Sequence, residues 1–209
     1  MDAETIKNFL DICYDKVLDG VPMVSKSVEE LANDYLSRTS SPEKAAKHLI
    51  HNQVLKCGTS GAVTGMGGLI TLPVAIPANI ASVVYVQLRM IASIAYIGGF
   101  DPSSDQVQTL SYVCLLGSSA ADALKQSGIK ISQKFLTNVI EKKIPGTVLK
   151  KINEKVGFRL LTKFGTTGAI NLGKCVPVVG GVVGGLIDIS SSKIVALNAY
   201  RMFILKKDL

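Results

Sequence analysis

Between Gly168 and Cys175 the chain reads Gly-Ala-Ile-Asn-Leu-Gly-Lys-Cys, one residue short of the phosphate-cradling pattern G-x-x-x-x-G-K followed by Ser or Thr. In that pattern the last hydroxyl ligates magnesium, whereas Cys175 offers a soft sulfur poorly matched to a hard ion. No strand-like run precedes Gly168, and no strand ending in an acid supplies a second metal partner, so a nucleotide site is not expected. Gly65-Met-Gly67-Gly68 likewise lacks the full dinucleotide fingerprint and its strand-helix-strand setting. His48 and His51 are three apart, which on a helix turns both rings to one side. A metal needs a third and usually a fourth ligand, and Glu43 and Cys57 are near only in sequence, so solvent-facing or packing histidines are the expected reading. A triad or Cys-His pair would have to use one of these two, and nothing marks a nucleophile elbow. No cofactor or metal is expected.

Polar residues set inside apolar chain are the better candidates. Asn79, Gln87, Arg89, Asp101, Asp188 and Arg201 lie in or beside segments headed for burial. A buried charge is costly unless paired, so Arg89 or Arg201 is expected to pair with Asp101 or Asp188, in a structural role ahead of a catalytic one.

A second group carries charge. Between Lys125 and Lys174 stand eleven basic residues against only Glu141 and Glu154, while residues 1–35 hold eight acids against Lys7, Lys16 and Lys26. Lys130, Lys134, Lys142, Lys143, Lys150, Lys151 and Lys155 fall in amphipathic stretches and form a candidate face for anionic headgroups. Such a patch also suits an acidic protein or is simply a solvated helix face. Nucleic acid ranks lower, because these helices lack interleaved exposed aromatics or a known module.

The elements that must position these groups read as helices throughout. Ile6, Phe9, Leu10, Cys13 and Val17 recur at helical spacing and Gly20 and Pro22 stop the run, which predicts a helix over about 3–19. Val24, Val28, Leu31, Ala32 and Tyr35 predict a second, and Ser41, Pro42 and Glu43 have the order of a cap, a first turn and a dipole partner for a third. From Cys57 to Leu88 there are 32 residues without a charge, divided by Pro73 and Pro77. A spanning helix needs about 20 continuous apolar residues, which neither arm supplies by itself, so a buried helical hairpin is expected in place of a membrane span. One helix is expected from about Ser104 to Gln126, basic helices after Gly128, and a glycine-rich segment leading to the last helix. No stretch sustains period-two alternation, so the fold class is all-α.

Gly58-Thr-Ser-Gly-Ala is echoed at Gly165-Thr-Thr-Gly-Ala, and Arg89-Met90 at Arg201-Met202. The echo suggests an internal two-fold repeat of related hairpins, with coincidence in a glycine-biased composition as the alternative. The 209 residues are read as one domain, with acidic helices over 1–56 and a core over 57–209. Apolar residues make up 47% and mean hydropathy is +0.34, high enough that a sheltered or lipid-facing apolar surface has to be considered. Cys13, Cys57, Cys114 and Cys175 are too scattered for a zinc site or disulfide framework and read as small buried hydrophobes. The acidic, amphipathic first residues do not resemble an export signal, so a cytoplasmic location is expected, with peripheral attachment to the inner face of the membrane as the alternative.

The segment GTSGAVTGMGGLITLPVAIPANIASVVYVQLRMIASIAYIGGFDP, with VPVVGGVVGGLIDISSSKIVALNAYRMF, resembles the bacterial EcsC family. The glycine-rich run before Leu72-Pro73, the turn at 99–102 and the Val-Pro-Val-Val-Gly-Gly region ending at Asp188 carry the resemblance, which covers about two thirds of the chain from Cys57 onward. It brings no catalytic residues. The function expected is non-enzymatic association with lipid or a membrane surface, the apolar hairpin sheltering an acyl chain or inserting. A toxin-like effector that unfolds its hairpin into a bilayer, and an enzyme with a pocket near Asp101 and Asp188, are the alternatives.

Overall fold

Ile6, Phe9, Leu10, Cys13 and Val17 set one apolar face, and the chain folds on it as expected: α1 spans Ala3–Asp19, with Phe9, Leu10, Cys13, Tyr14 and Val17 buried. The computed structural model describes residues 3–23, 25–58, 78–126, 146–147, 150, 152–153 and 180–207, with 3–6, 57–58, 78–80, 126 and 180–189 described by their helical backbone. Among the described residues there are seven α-helices and no strand, so the all-α fold class holds.

After α1 the chain turns at Gly20, whose φ of +75° only glycine adopts without strain. Val21 and Ser25 then exchange both backbone hydrogen bonds at 2.9 Å, closing a small loop. Helix α2, Val28–Leu36, opens on a capping box: the Ser27 hydroxyl accepts from the Glu30 N–H, and the Glu30 carboxylate accepts from the Ser27 N–H. Helix α3, Pro42–Gly58, begins where Ser41 accepts from the Lys44 N–H, and buries Ala45, Ala46, Leu49 and Val54.

Helix α4, Ala78–Ile97, is apolar nearly all round, and a helix of that kind must be surrounded by protein. Helices α1, α2 and α3 pack against it, and so do the helices Asp105–Leu115 and Gly180–Ala199. It ends at Gly98 and Gly99, the latter at φ +84°, and Ser104 caps α5, Asp105–Leu115. The single helix expected over 104–126 is two: Gly117, at φ +64°, breaks it through a 3-10 turn before α6, Ala120–Gln126. The Asn198 amide donates to the Gly117 carbonyl at 2.8 Å, so the break is held from outside.

Helix α7, Gly180–Ala199, continues into a π turn at Tyr200–Ile204. It lies parallel to α4. Gln87 meets Ser192, and Gly98 faces the carbonyl of Phe203, both pairs 105 residues apart, so the two helices keep a constant register over about three turns. Phe100 and Phe203 close that end edge-to-face, with centroids 5.1 Å apart.

Of the hairpin expected from Cys57 to Leu88, the second arm is the start of α4, while 59–77 lie outside the described residues. The internal repeat is not shown. Its second glycine motif lies outside the described residues, and its two arginines differ, Arg89 being buried and Arg201 exposed. Among the described residues no helix is long and apolar enough to cross a membrane.

Candidate functional site

The polar residues of α4 point two ways because they differ by two positions, half a turn apart. Gln87, 2% exposed, faces α7: its amide nitrogen donates to Ser192 Oγ at 2.9 Å and reaches Ser191 Oγ at 3.5 Å. Arg89, 9% exposed, faces the loop before α2 and donates from Nη2 to the Lys26 carbonyl at 3.0 Å. One turn earlier on that side, the Tyr85 hydroxyl lies 2.8 Å from Ser25 Oγ and donates to the Lys16 carbonyl at 3.3 Å. The Gly20 loop is thus pinned to the central helix by two side chains.

Burial disfavours the charged guanidinium and holds the Arg89 pKa below the ordinary arginine value, an effect the phenols of Tyr85 and Tyr35 partly offset. Arg89 Nε, Ser93 Oγ and Gln53 Nε2 are buried without a hydrogen bond among the described residues. No described carboxylate pairs with Arg89. A carbonyl oxygen serves instead.

The other expected residues are placed differently. Asp101 is not buried: it is exposed, and its carboxylate accepts from Ser103 N–H at 2.9 Å and Ser103 Oγ at 2.7 Å, closing the turn before Ser104. Arg201 is exposed as well, because it follows the outward stripe of α7 into the π turn. Neither joins a buried pair. Asn79 and Asp188 lie on the helical backbones of α4 and α7, and their side chains are outside the described residues. Of the basic face, Lys150 is exposed on a helical turn, and Lys130, Lys134, Lys142, Lys143, Lys151 and Lys155 lie outside the described residues, as does the segment Gly168–Cys175.

Among the described residues no three of His, Cys, Asp and Glu come together to hold a metal. Cys13 and Cys114 are buried as small hydrophobes, and burial pushes the Cys13 thiol from 9.0 up to about 12 and the Cys114 thiol higher still. Two results follow from this. In a Cys57→Ser, Cys175→Ser variant, a thiol reagent at pH 8 should label nothing in the native protein and two thiols after denaturation. The pH dependence has a definite sign: unfolded thiols ionise from 9.0 while folded ones remain neutral, so stability present below pH 9 should fall between pH 9 and 12. A urea midpoint unchanged across that window would contradict the burial.

One exposed surface carries no mark in the sequence. On α7, Lys193, Ile194, Leu197 and Arg201 follow one another at helical spacing and all are exposed, Ile194 by 42% and Leu197 by 50%. Leu205 continues the line at 40%. Two exposed aliphatic side chains thus stand between two cations on one helix face.

The model of the EcsC protein family matches residues 3–205 of this chain. No curated protein and no solved structure matches it. The match begins at the start of α1, so residues 3–56, which add little to the resemblance seen in the sequence, fall within the same family unit. That extent agrees with the packing of α1, α2 and α3 around α4.

Proposed function

The chain belongs to the EcsC family, and on that premise we propose that it is a non-enzymatic protein that associates with the surface of anionic membranes. The observation that supports this reading is the α7 stripe, where Ile194 and Leu197 stand exposed between Lys193 and Arg201. On a membrane surface such a stripe lays its aliphatic groups at the headgroup boundary while the cations meet lipid phosphates. Burying the exposed parts of two aliphatic side chains contributes on the order of 2 kcal/mol. Each cation beside an anionic surface adds about 1 kcal/mol. The sum gives weak, reversible attachment that needs both kinds of residue. Lys150, exposed on its own helical turn, adds to the positive charge available.

Flotation on vesicles tests this. The protein should rise with vesicles containing phosphatidylglycerol and much less with phosphatidylcholine alone, and added salt should release it as charges are screened. Ile194→Asp with Leu197→Asp should cut the vesicle partition constant about thirtyfold or more, matching the aliphatic contribution. These positions are exposed, so the variant should keep its helical circular dichroism. Equal failure on both vesicle types, or flotation unchanged in the variant, would sink the reading.

A further inference from the structure

Tyr35, Arg38 and Thr39 at the end of α2, with His48, His51 and Asn52 on α3, line a surface cavity of about 350 Å³. Its shape is fixed from within. Thr39 Oγ1 donates to the Tyr35 carbonyl at 2.9 Å and the Arg38 N–H to the same carbonyl at 3.3 Å, so the turn after α2 is tied back on itself. Across the cavity the Asn52 amide donates to the Tyr35 hydroxyl at 2.9 Å, joining the two helices. Because the Tyr35 oxygen is the acceptor there, its own proton is left to donate elsewhere.

The remaining lining groups are donors or cations. Arg38 presents a guanidinium fork, and His48 and His51, three apart on α3, present ring N–H groups from one face. No carboxylate lines the cavity. Asp34, the carboxylate that feels the Arg38 charge, is ion-paired with Lys26. Two imidazoles could suggest a metal, but no third ligand joins them among the described residues and a guanidinium in the same cavity repels a cation. We propose that this cavity is a binding site for a phosphate monoester, its oxygens taking the Arg38 fork, the two imidazole N–H groups and the Tyr35 hydroxyl. A phosphoryl group suits this set because its several oxygens can receive donors converging from both helices, and arginine binds it through two parallel N–H groups. The cavity lies at the small end of the range for small-molecule sites, about 300–1,000 Å³. The inference stands apart from membrane attachment, since it uses none of the α7 stripe.

The test is an NMR titration of the intact protein, read on the imidazole resonances of His48 and His51. Inorganic phosphate and then glycerol 3-phosphate should each shift both rings saturably, with chloride at matched ionic strength inert. Arg38→Gln should weaken the apparent affinity about tenfold, the effect of losing one charge-assisted pair. Arg38→Lys should restore part of it, because the charge returns without the fork. Vesicles containing phosphatidic acid, compared with phosphatidylcholine vesicles, form the second arm: competition with glycerol 3-phosphate from these vesicles assigns a lipid headgroup, and its absence a soluble ester. No saturable shift with any phosphate, an affinity unmoved by Arg38→Gln, or zinc binding at the same rings that phosphate does not oppose would each overturn the proposal.

Discussion

Replacing Gly20 by alanine is expected to cost about 2–5 kcal/mol, the sum of left-handed backbone strain and overpacking. The residue sits at φ +75°, and a Cβ there would lie 2.6 Å from Ser25 O and from Ser27 N, and 2.7 Å from Lys26 C. All three are backbone atoms of the loop that Tyr85 and Arg89 hold, so the new methyl group cannot be accommodated by a rotamer change. The loop must move. When it does, Arg89 loses the carbonyl of Lys26 and is left as a buried cation without a described partner, which raises the cost further. Gly99→Ala is the matched control, since its φ of +84° imposes the same backbone strain while nothing lies within 4 Å of its Cβ. That variant should lose only about 1–2 kcal/mol. Urea denaturation of the two variants separates strain from collision, and a Gly20→Ala variant no less stable than Gly99→Ala would show that the loop does not pack as described.

The same loop marks what the sequence could and could not say. Gly20 and Pro22 read as the stop of α1, and they are, but the side chains that hold the loop come from Tyr85 and Arg89, 60 and 63 residues from the loop groups they meet. Local pattern carries no information about that pairing. The bounds of α1 and the start of α3 were legible because apolar periodicity and the Ser41-Pro42-Glu43 order act locally. Apolar periodicity alone carried the expected start of α2 back to Val24, and the signal that marks its true start is Ser27 with Glu30, a capping box at its usual spacing. The break at Gly117 was harder. Its flanks are apolar and fully buried on the α5 side, so the period continues through it, and the group that stabilises the break is Asn198 on another helix.

For the candidate site, a polar residue inside apolar chain proved a sound signal only within a long helix. Gln87 and Arg89 are buried because α4 is enclosed on every side. Asp101 and Arg201 adjoin apolar chain yet are exposed, since one closes a turn and the other lies on the outer stripe of α7. Charge pairing was the natural expectation for Arg89, but a carbonyl oxygen in a closed loop meets the same need without burying a second charge. Ile194 and Leu197 show the converse. In sequence they are indistinguishable from core residues such as Val195, and only the direction from which α3 and α4 approach α7 leaves them outside.

Gly98→Ala should lower stability by about 3 kcal/mol and the thermal midpoint by about 6–12 °C. Here φ is not in the left-handed region, so the whole effect is collision: a Cβ would lie 2.3 Å from the Phe203 carbonyl oxygen and 3.0 Å from its carbon. Relief requires α4 and the π turn to separate by about 1 Å, the distance that restores ordinary van der Waals contact. Phe100 packs edge-to-face on Phe203 and would be displaced with it. At the other end, the Gln87 to Ser192 hydrogen bond keeps α7 in place, so the variant tilts the helix and does not detach it. That geometry reaches the surface, because rotation of α7 about its own axis decides whether Ile194 and Leu197 face outward. If the stripe attaches the protein to membranes, Gly98→Ala should reduce flotation at temperatures well below its midpoint, while Gly99→Ala should not. Loss of stability with flotation intact would confine Gly98 to packing and free the stripe from the α4–α7 register.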